Sequence, residues 1–171
     1  MASETDIEPC SYVVGDDGLA KWTDVHKDAW IGLLETHKRL TRALDAELEA
    51  EHGLTLSGVE CLGRLAAADG RKLRLSVLAS ETGLSLSRIS RIVDTLESRE
   101  LVERHPSLFD ARVVEAHLTP AGLELVRKAQ SSHFASVQAR FFEQLSAEEL
   151  AVLAKVFARF IPQDAGTCLE S

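Results

Sequence analysis

The chain has 171 residues, 45% of them hydrophobic and 27% charged, with a formal net charge of −8. This suits one ordinary domain with tails and excludes a disordered chain. No apolar run approaches the roughly 18 residues needed to cross a bilayer, and the acidic opening MASETDIEP has no apolar stretch of the kind secretory signals carry.

Residues 1–20 are polar, with Gly15 and Gly18, and read as a loose tail. A long helical pattern fills 21–53, with Trp30, Leu33, Leu34, His37, Leu40, Leu44 and Leu48 near one side and Gly53 as its stop. Ser57 and Glu60 have capping-box spacing and predict a second helix to about Ala68. "ADGRKLRL" is a loop that ends in one short strand. Ser76 is the expected cap of a short helix, "VLASET", which Gly83 ends. A further helix runs over about 86–99. "LVERH" and "VVEAHLT" are β-prone and predict a hairpin over about 101–118, with "PSLFDAR" as its turn. Thr119 and Pro120 are an N-cap and first helical residue for a long helix. Ser146 and Glu149 open a last helix, so helices occupy 120–162 and a tail 163–171.

The helix at 86–99 carries the chemistry. Ile89, Ile92, Val93 and Leu96 fall at i, i+3, i+4 and i+7, one apolar stripe. That stripe turns Ser87, Ser90, Arg91 and Asp94 outward and leaves Arg88 on the flank, with Ser85 at the helix start. From Arg71 to Arg112 there are eight basic residues against six acidic ones, a cationic segment in a chain of net −8. A short helix, a glycine turn, a helix with a cationic face and then a hairpin predict a mainly α, α+β fold with a winged helix-turn-helix over 54–119. The second helix of such a pair enters the DNA major groove. Short serines let the backbone approach, and arginine pairs bidentately with guanine.

Residues 78–122, "LASETGLSLSRISRIVDTLESRELVERHPSLFDARVVEAHLTPAG", resemble the signature of the MarR family of bacterial transcription regulators. The most specific part is Asp110-Ala111-Arg112 followed by Leu118-Thr119-Pro120-Ala121-Gly122. The resemblance extends over about 22–161. It implies a homodimer held by the N- and C-terminal helices, acting on a palindromic DNA site, most often as a cytoplasmic repressor. It further implies that Arg112 enters the minor groove while Asp110 holds its guanidinium, and that Arg104 lies near the DNA backbone. This wing is less basic than that of many relatives. The expected DNA contacts are therefore Ser85, Ser87, Arg88, Ser90, Arg91, Arg104, Asp110 and Arg112.

Relatives commonly bind small aromatic or carboxylate effectors. Trp22, His26, Trp30, His37 and Glu60 are the candidate contacts, with His133 a further one. A urate response is not carried over, because 1–20 does not read as an extra helix. Cys10, Cys61 and Cys168 are odd in number and widely spaced, which argues against a disulfide framework and fits a reducing cytoplasm. A thiol-based redox response stays open, as does a winged-helix interaction module without DNA binding. No H-x-x-x-H, H-E-x-x-H, C-x-x-C, G-x-S-x-G, P-loop or G-x-G-x-x-G occurs, so neither metal, cofactor nor enzyme activity is expected.

Overall fold

The computed structural model describes residues 12–107 and 113–160, and these form two compact units that meet between Arg42 and Ala43. The first unit opens with antiparallel strands β1 (Tyr12–Val14) and β2 (Ala20–Trp22), where a tail over 1–20 was expected. The signal was the turn: Gly18 takes φ +74, and the Asp17 carboxylate accepts from the Leu19 amide at 3.0 Å. Helix α1 (Asp24–His52) follows, and the unit boundary falls inside it rather than at the expected 53/54. The reason is burial, because Leu44 and Leu48 on its last turns belong to the second unit's interior.

In the second unit, Gly53 ends α1 with φ +63, and its amide donates to the Glu49 carbonyl at 2.9 Å. Helix α2 (Leu56–Ala67) starts earlier than the Ser57–Glu60 pair suggests. Thr55 is its cap, accepting from the Gly58 amide at 3.1 Å, and Asp45 accepts from the Leu56 amide at 2.7 Å. With those amides satisfied, Ser57 lies within the first turn instead of capping it. Strand β3 (Lys72–Arg74) runs straight into α3 (Leu75–Thr82). Arg74 therefore occupies the cap position, without a side-chain bond, where Ser76 was expected. Gly83, at φ +66, closes α3, and its amide faces the Ala79 and Ser80 carbonyls. Ser85 then caps α4 (Leu86–Ser98), accepting from the Arg88 amide.

Strands β4 (Val102–Pro106) and β5 (Val114–Leu118) form the hairpin, and β3 joins its free edge in the order β3-β5-β4. This is the wing of a winged helix-turn-helix. Helix α5 (Pro120–Arg140) has Thr119 as cap and Pro120 in its first turn, and α6 (Ala147–Phe157) has the full Ser146–Glu149 capping box. Leu48, Leu62, Leu65, Leu78, Ile89 and Val126 are among the core side chains, so α1, α2, α3, α4 and α5 share one interior. Each such side chain contributes about 1.5–3 kcal/mol through burial. The end of α1 is also tied to α5 by polar contacts. Ser136 Oγ donates to Glu47 at 2.6 Å, Arg140 donates to the same carboxylate, and His52 meets Ser132 Oγ at 2.9 Å. The Arg140 bond, then the Ser136 bond, holds the Glu47 carboxyl below its ordinary range.

The Leu-Thr-x-x-Gly motif has a steric cause. Thr119 Oγ1 donates toward the Glu100 carbonyl at 2.9 Å and accepts from the Gly122 amide at 3.0 Å, which seats Gly122 on the Leu101 carbonyl. A Cβ on Gly122 would collide with that oxygen and lie 2.8 Å from Leu118 Cδ1. Gly122→Ala is thus expected to lower the thermal midpoint by about 10 °C, from overpacking of about 3 kcal/mol. An unchanged midpoint in calorimetry would show that α5 does not sit on the wing's base as described.

Candidate nucleic-acid interface

Helix α4 is held by its apolar stripe. Ile89, Val93 and Leu96 are buried and Ile92 is half-buried, so the opposite side is presented. At the N-terminal end, Ser85, Ser87, Arg88 and Arg91 are exposed, while Ser90 is half-buried. The Ser85 and Ser87 hydroxyls lie 3.2 Å apart. Among the described residues, neither the Arg88 nor the Arg91 guanidinium has a hydrogen-bond or ion-pair partner. Two unpaired guanidiniums at one end of a rigid helix present ten N–H donors in planar forks, the donor set that suits phosphates and guanine edges.

Arg88, Arg91, Thr95 and Arg99 succeed one another along one side of α4 and wall a groove of about 410 Å³. Gly53, Leu54 and Thr55, from the turn between α1 and α2, and Gly58 in the first turn of α2 form the facing wall. Arg99, which sequence reasoning passed over, is engaged. It donates to the His52 carbonyl at 3.0 Å and to the Gly53 carbonyl, at the C-terminal end of α1 where a cation is favoured. The only sequence signal was an arginine just past a helix end, and its partners lie 46 and 47 residues away.

Arg104, expected near the DNA backbone, is turned inward. Its guanidinium donates to Glu97 at 2.6 Å and the Ser90 carbonyl at 2.8 Å and ion-pairs with Asp94 at 2.7 Å, and its side chain is 21% exposed. These contacts join the wing to α4. Farther along the sheet, the His105 and His117 rings stand 4.5 Å apart, beside Glu103 and Glu115. The Glu115 carboxyl is held below its ordinary range, first by a Ser107 hydrogen bond, then by His117 and Lys72. Asp110 and Arg112 lie outside the described residues.

The expected effector contacts are distributed as follows. In the first unit, Trp22 meets Tyr12 edge-on at 6.2 Å, His26 Nδ1 lies 2.7 Å from Thr23 Oγ1, and Trp30 and His37 are exposed. In the second unit, Glu60 sits 3.9 Å from Arg64, and its carboxyl is raised by partial burial. His133 Nδ1 is buried without a hydrogen-bond partner among the described residues, and burial lowers the pKa of that ring. Cys61 is fully buried among the core side chains, and burial raises its thiol to about 11. Cys10 and Cys168 lie outside the described residues. Among the described residues no group of three or more His, Cys, Asp or Glu is placed to hold a metal ion, and no helix is long and apolar enough to cross a membrane.

Comparison with known proteins places this arrangement. A family model described as MarR family matches residues 52–113. AbsC, a MarR family transcriptional regulator from Streptomyces coelicolor, is 35% identical; the match covers 82% of this chain and 95% of AbsC, with a TM-score of 0.75. Sco3205, a MarR family regulator of the same organism solved in complex with DNA, is 26% identical over 85% of this chain and 94% of its own, with a TM-score of 0.77. The HTH-type transcriptional regulator YhbI of Bacillus subtilis (strain 168) is 34% identical over 82 residues, 48% of this chain; the match spans about half of that relative, 53%.

The buried thiol yields a prediction. With its pKa near 11, Cys61 is about one part in a thousand thiolate at pH 8, and the thiolate is the reactive form. In a Cys10→Ser, Cys168→Ser variant, iodoacetamide is expected to label the native protein far more slowly than the urea-unfolded one. Equal rates would refute the inert assignment.

Proposed function

The chain belongs to the MarR family of transcriptional regulators, and from that premise we propose that it binds double-stranded DNA in sequence-specific fashion through α4 and the wing. The observation that carries this reading is the pair of guanidiniums, Arg88 and Arg91, unpartnered among the described residues, on the exposed face of a helix whose other face is fixed in the core. Net charge opposes nonspecific DNA affinity in a chain at −8, so the cations must be local to be useful. The reading gains support from Sco3205, which binds DNA with a comparable fold. On this reading Ser85, Ser87 and Ser90 lie against phosphates and base edges, Arg91 reads a base, and Arg112 enters the minor groove beside Asp110.

The active species in this proposal is a homodimer on an inverted repeat, with half-sites about 10 bp apart. Each unit leaves apolar side chains uncovered, which a second copy would shield. In the first these include Val25, Trp30, Ile31 and Leu33; in the second, Phe134, Phe142, Val152 and Phe160. Repression in the cytoplasm, relieved by a small aromatic or carboxylate effector that alters the spacing of the two reading helices, completes the reading.

Selection of duplexes from a random pool by the purified protein is expected to recover an inverted repeat, and sedimentation to give twice the 18.7 kDa chain mass. Log affinity should fall steeply with log salt, by about 0.9 per phosphate contact. Arg91→Ala should relax the preference at one base position in each half-site by about 1–3 kcal/mol. Arg112→Ala should weaken binding across sequences. A monomer with no enriched site and a flat salt dependence would favour an interaction module and refute the DNA reading.

A further inference from the structure

Arg104 reaches three positions of α4 at once. Its guanidinium donates to the Ser90 carbonyl and the Glu97 carboxylate and ion-pairs with the Asp94 carboxylate, and these three positions succeed each other at i, i+4 and i+7 along one edge of the helix. Its own backbone amide donates to the other Glu97 oxygen at 3.1 Å. Glu97 therefore grips β4 by main chain and side chain together, and the guanidinium extends the grip two turns back, to the level of Ser90 and Arg91.

A DNA duplex would meet α4 in the major groove and the wing tip beside it, so the angle between helix and hairpin decides whether both fit. A loose angle would have to be frozen on binding, at an entropic cost. The pinned residues are polar and form a separate edge from the buried stripe of Ile89, Val93 and Leu96, so the clamp adds a second, directional constraint to the packing of that stripe with Val102 and Ala116.

We propose that Arg104 is a positioning residue for DNA reading: through Glu97, Asp94 and the Ser90 carbonyl it fixes the wing against the recognition helix, and it does not itself contact phosphate. The inference rests on the DNA-binding reading above and adds a different role for a residue that charge alone would place on the backbone. The two roles predict opposite behaviour. A phosphate contact needs only a cation, which lysine supplies. A clamp needs the planar fork with several donors, which lysine lacks. Glu97 separates them further. Neutralising a carboxylate near DNA would tighten binding on simple electrostatics, whereas losing the clamp weakens it.

The test uses the full chain, the inverted-repeat duplex selected by the wild type, and a random duplex as nonspecific competitor, titrated at several salt concentrations. Arg104→Lys, Arg104→Gln and Glu97→Gln are each expected to weaken specific binding about tenfold or more. The Arg104→Lys and Glu97→Gln salt slopes should match the wild type, and their nonspecific affinity should be retained. Wild-type affinity in Arg104→Lys, with a slope about 0.9 shallower in Arg104→Gln, would make Arg104 a phosphate ligand and overturn the clamp. Tighter binding by Glu97→Gln would overturn it as well. Should Arg104→Gln fail to fold by circular dichroism, the lysine and Glu97 variants decide. Unaltered variants with a DNA-binding wild type remove the clamp alone; a wild type that selects no duplex removes the DNA reading and the clamp with it.

Discussion

Ile89, Val93 and Leu96 of α4 are buried in the shared interior, and the orientation of everything else on that helix follows from them. Turning α4 by one residue rotates each side chain by about 100°. That rotation would bring Ile89 toward water and drive Arg88 or Arg91 toward the core. Exposing three apolar side chains at about 1.5–3 kcal/mol each, and desolvating an unpaired guanidinium, exceeds most of the stability of a domain. The cationic end of α4 is therefore presented by constraint. The turn at Gly83 and the cap at Ser85 need only deliver the chain to that position.

Four arginines lie on or just beyond this helix, and they divide by what surrounds them. Arg99 finds the carbonyls at the end of α1, and Arg104 finds two carboxylates and a carbonyl of α4. Arg88 and Arg91 face outward without acceptors among the described residues. Two of the four are thus connectors, joining the reading helix to α1 on one side and to the wing on the other. The remaining two carry free donors. A net count of charge over the segment does not distinguish these roles, since it weights an internally neutralised guanidinium equally with an open one. The same division explains how a chain of net −8 presents a local cationic end: its carboxylates, Asp94 and Glu97 included, are tied into structure beside it.

The junction of wing and α5 depends on a second steric constraint. The Leu101 carbonyl accepts from the Thr119 amide at 3.1 Å, and Gly122 sits against it with no room for a side chain. The hairpin that leaves α4 is returned to the core by that contact, with Val102 and Ala116 buried between the strands and the helices. Helix, hairpin and α5 are therefore tied together within the second unit, which suits an element that has to be pre-shaped before it meets a partner.

The sequence by itself determined what local chemistry and periodicity dictate. It determined the apolar stripe of α4, its cationic face, the glycine turns at Gly53 and Gly83, the caps at Ser85, Thr119 and Ser146, and the strand–turn–strand of the wing. Each is set within about one helical turn, so the residues that cause it are neighbours in the chain. Tertiary structure decided the rest. Ser57 and Ser76 have the chemistry of caps, but Asp45 and strand β3 place the helix starts before them. Residues 12–22 form a ribbon because a two-strand pairing closes over Gly15–Leu19, too short to mark by periodicity. Arg104 reads as a backbone contact and Arg99 as one more cation in a list of charges, and only the fold shows the carboxylates and carbonyls that engage them. Which cations are free is a property of distances between elements, and a linear sequence does not contain those distances.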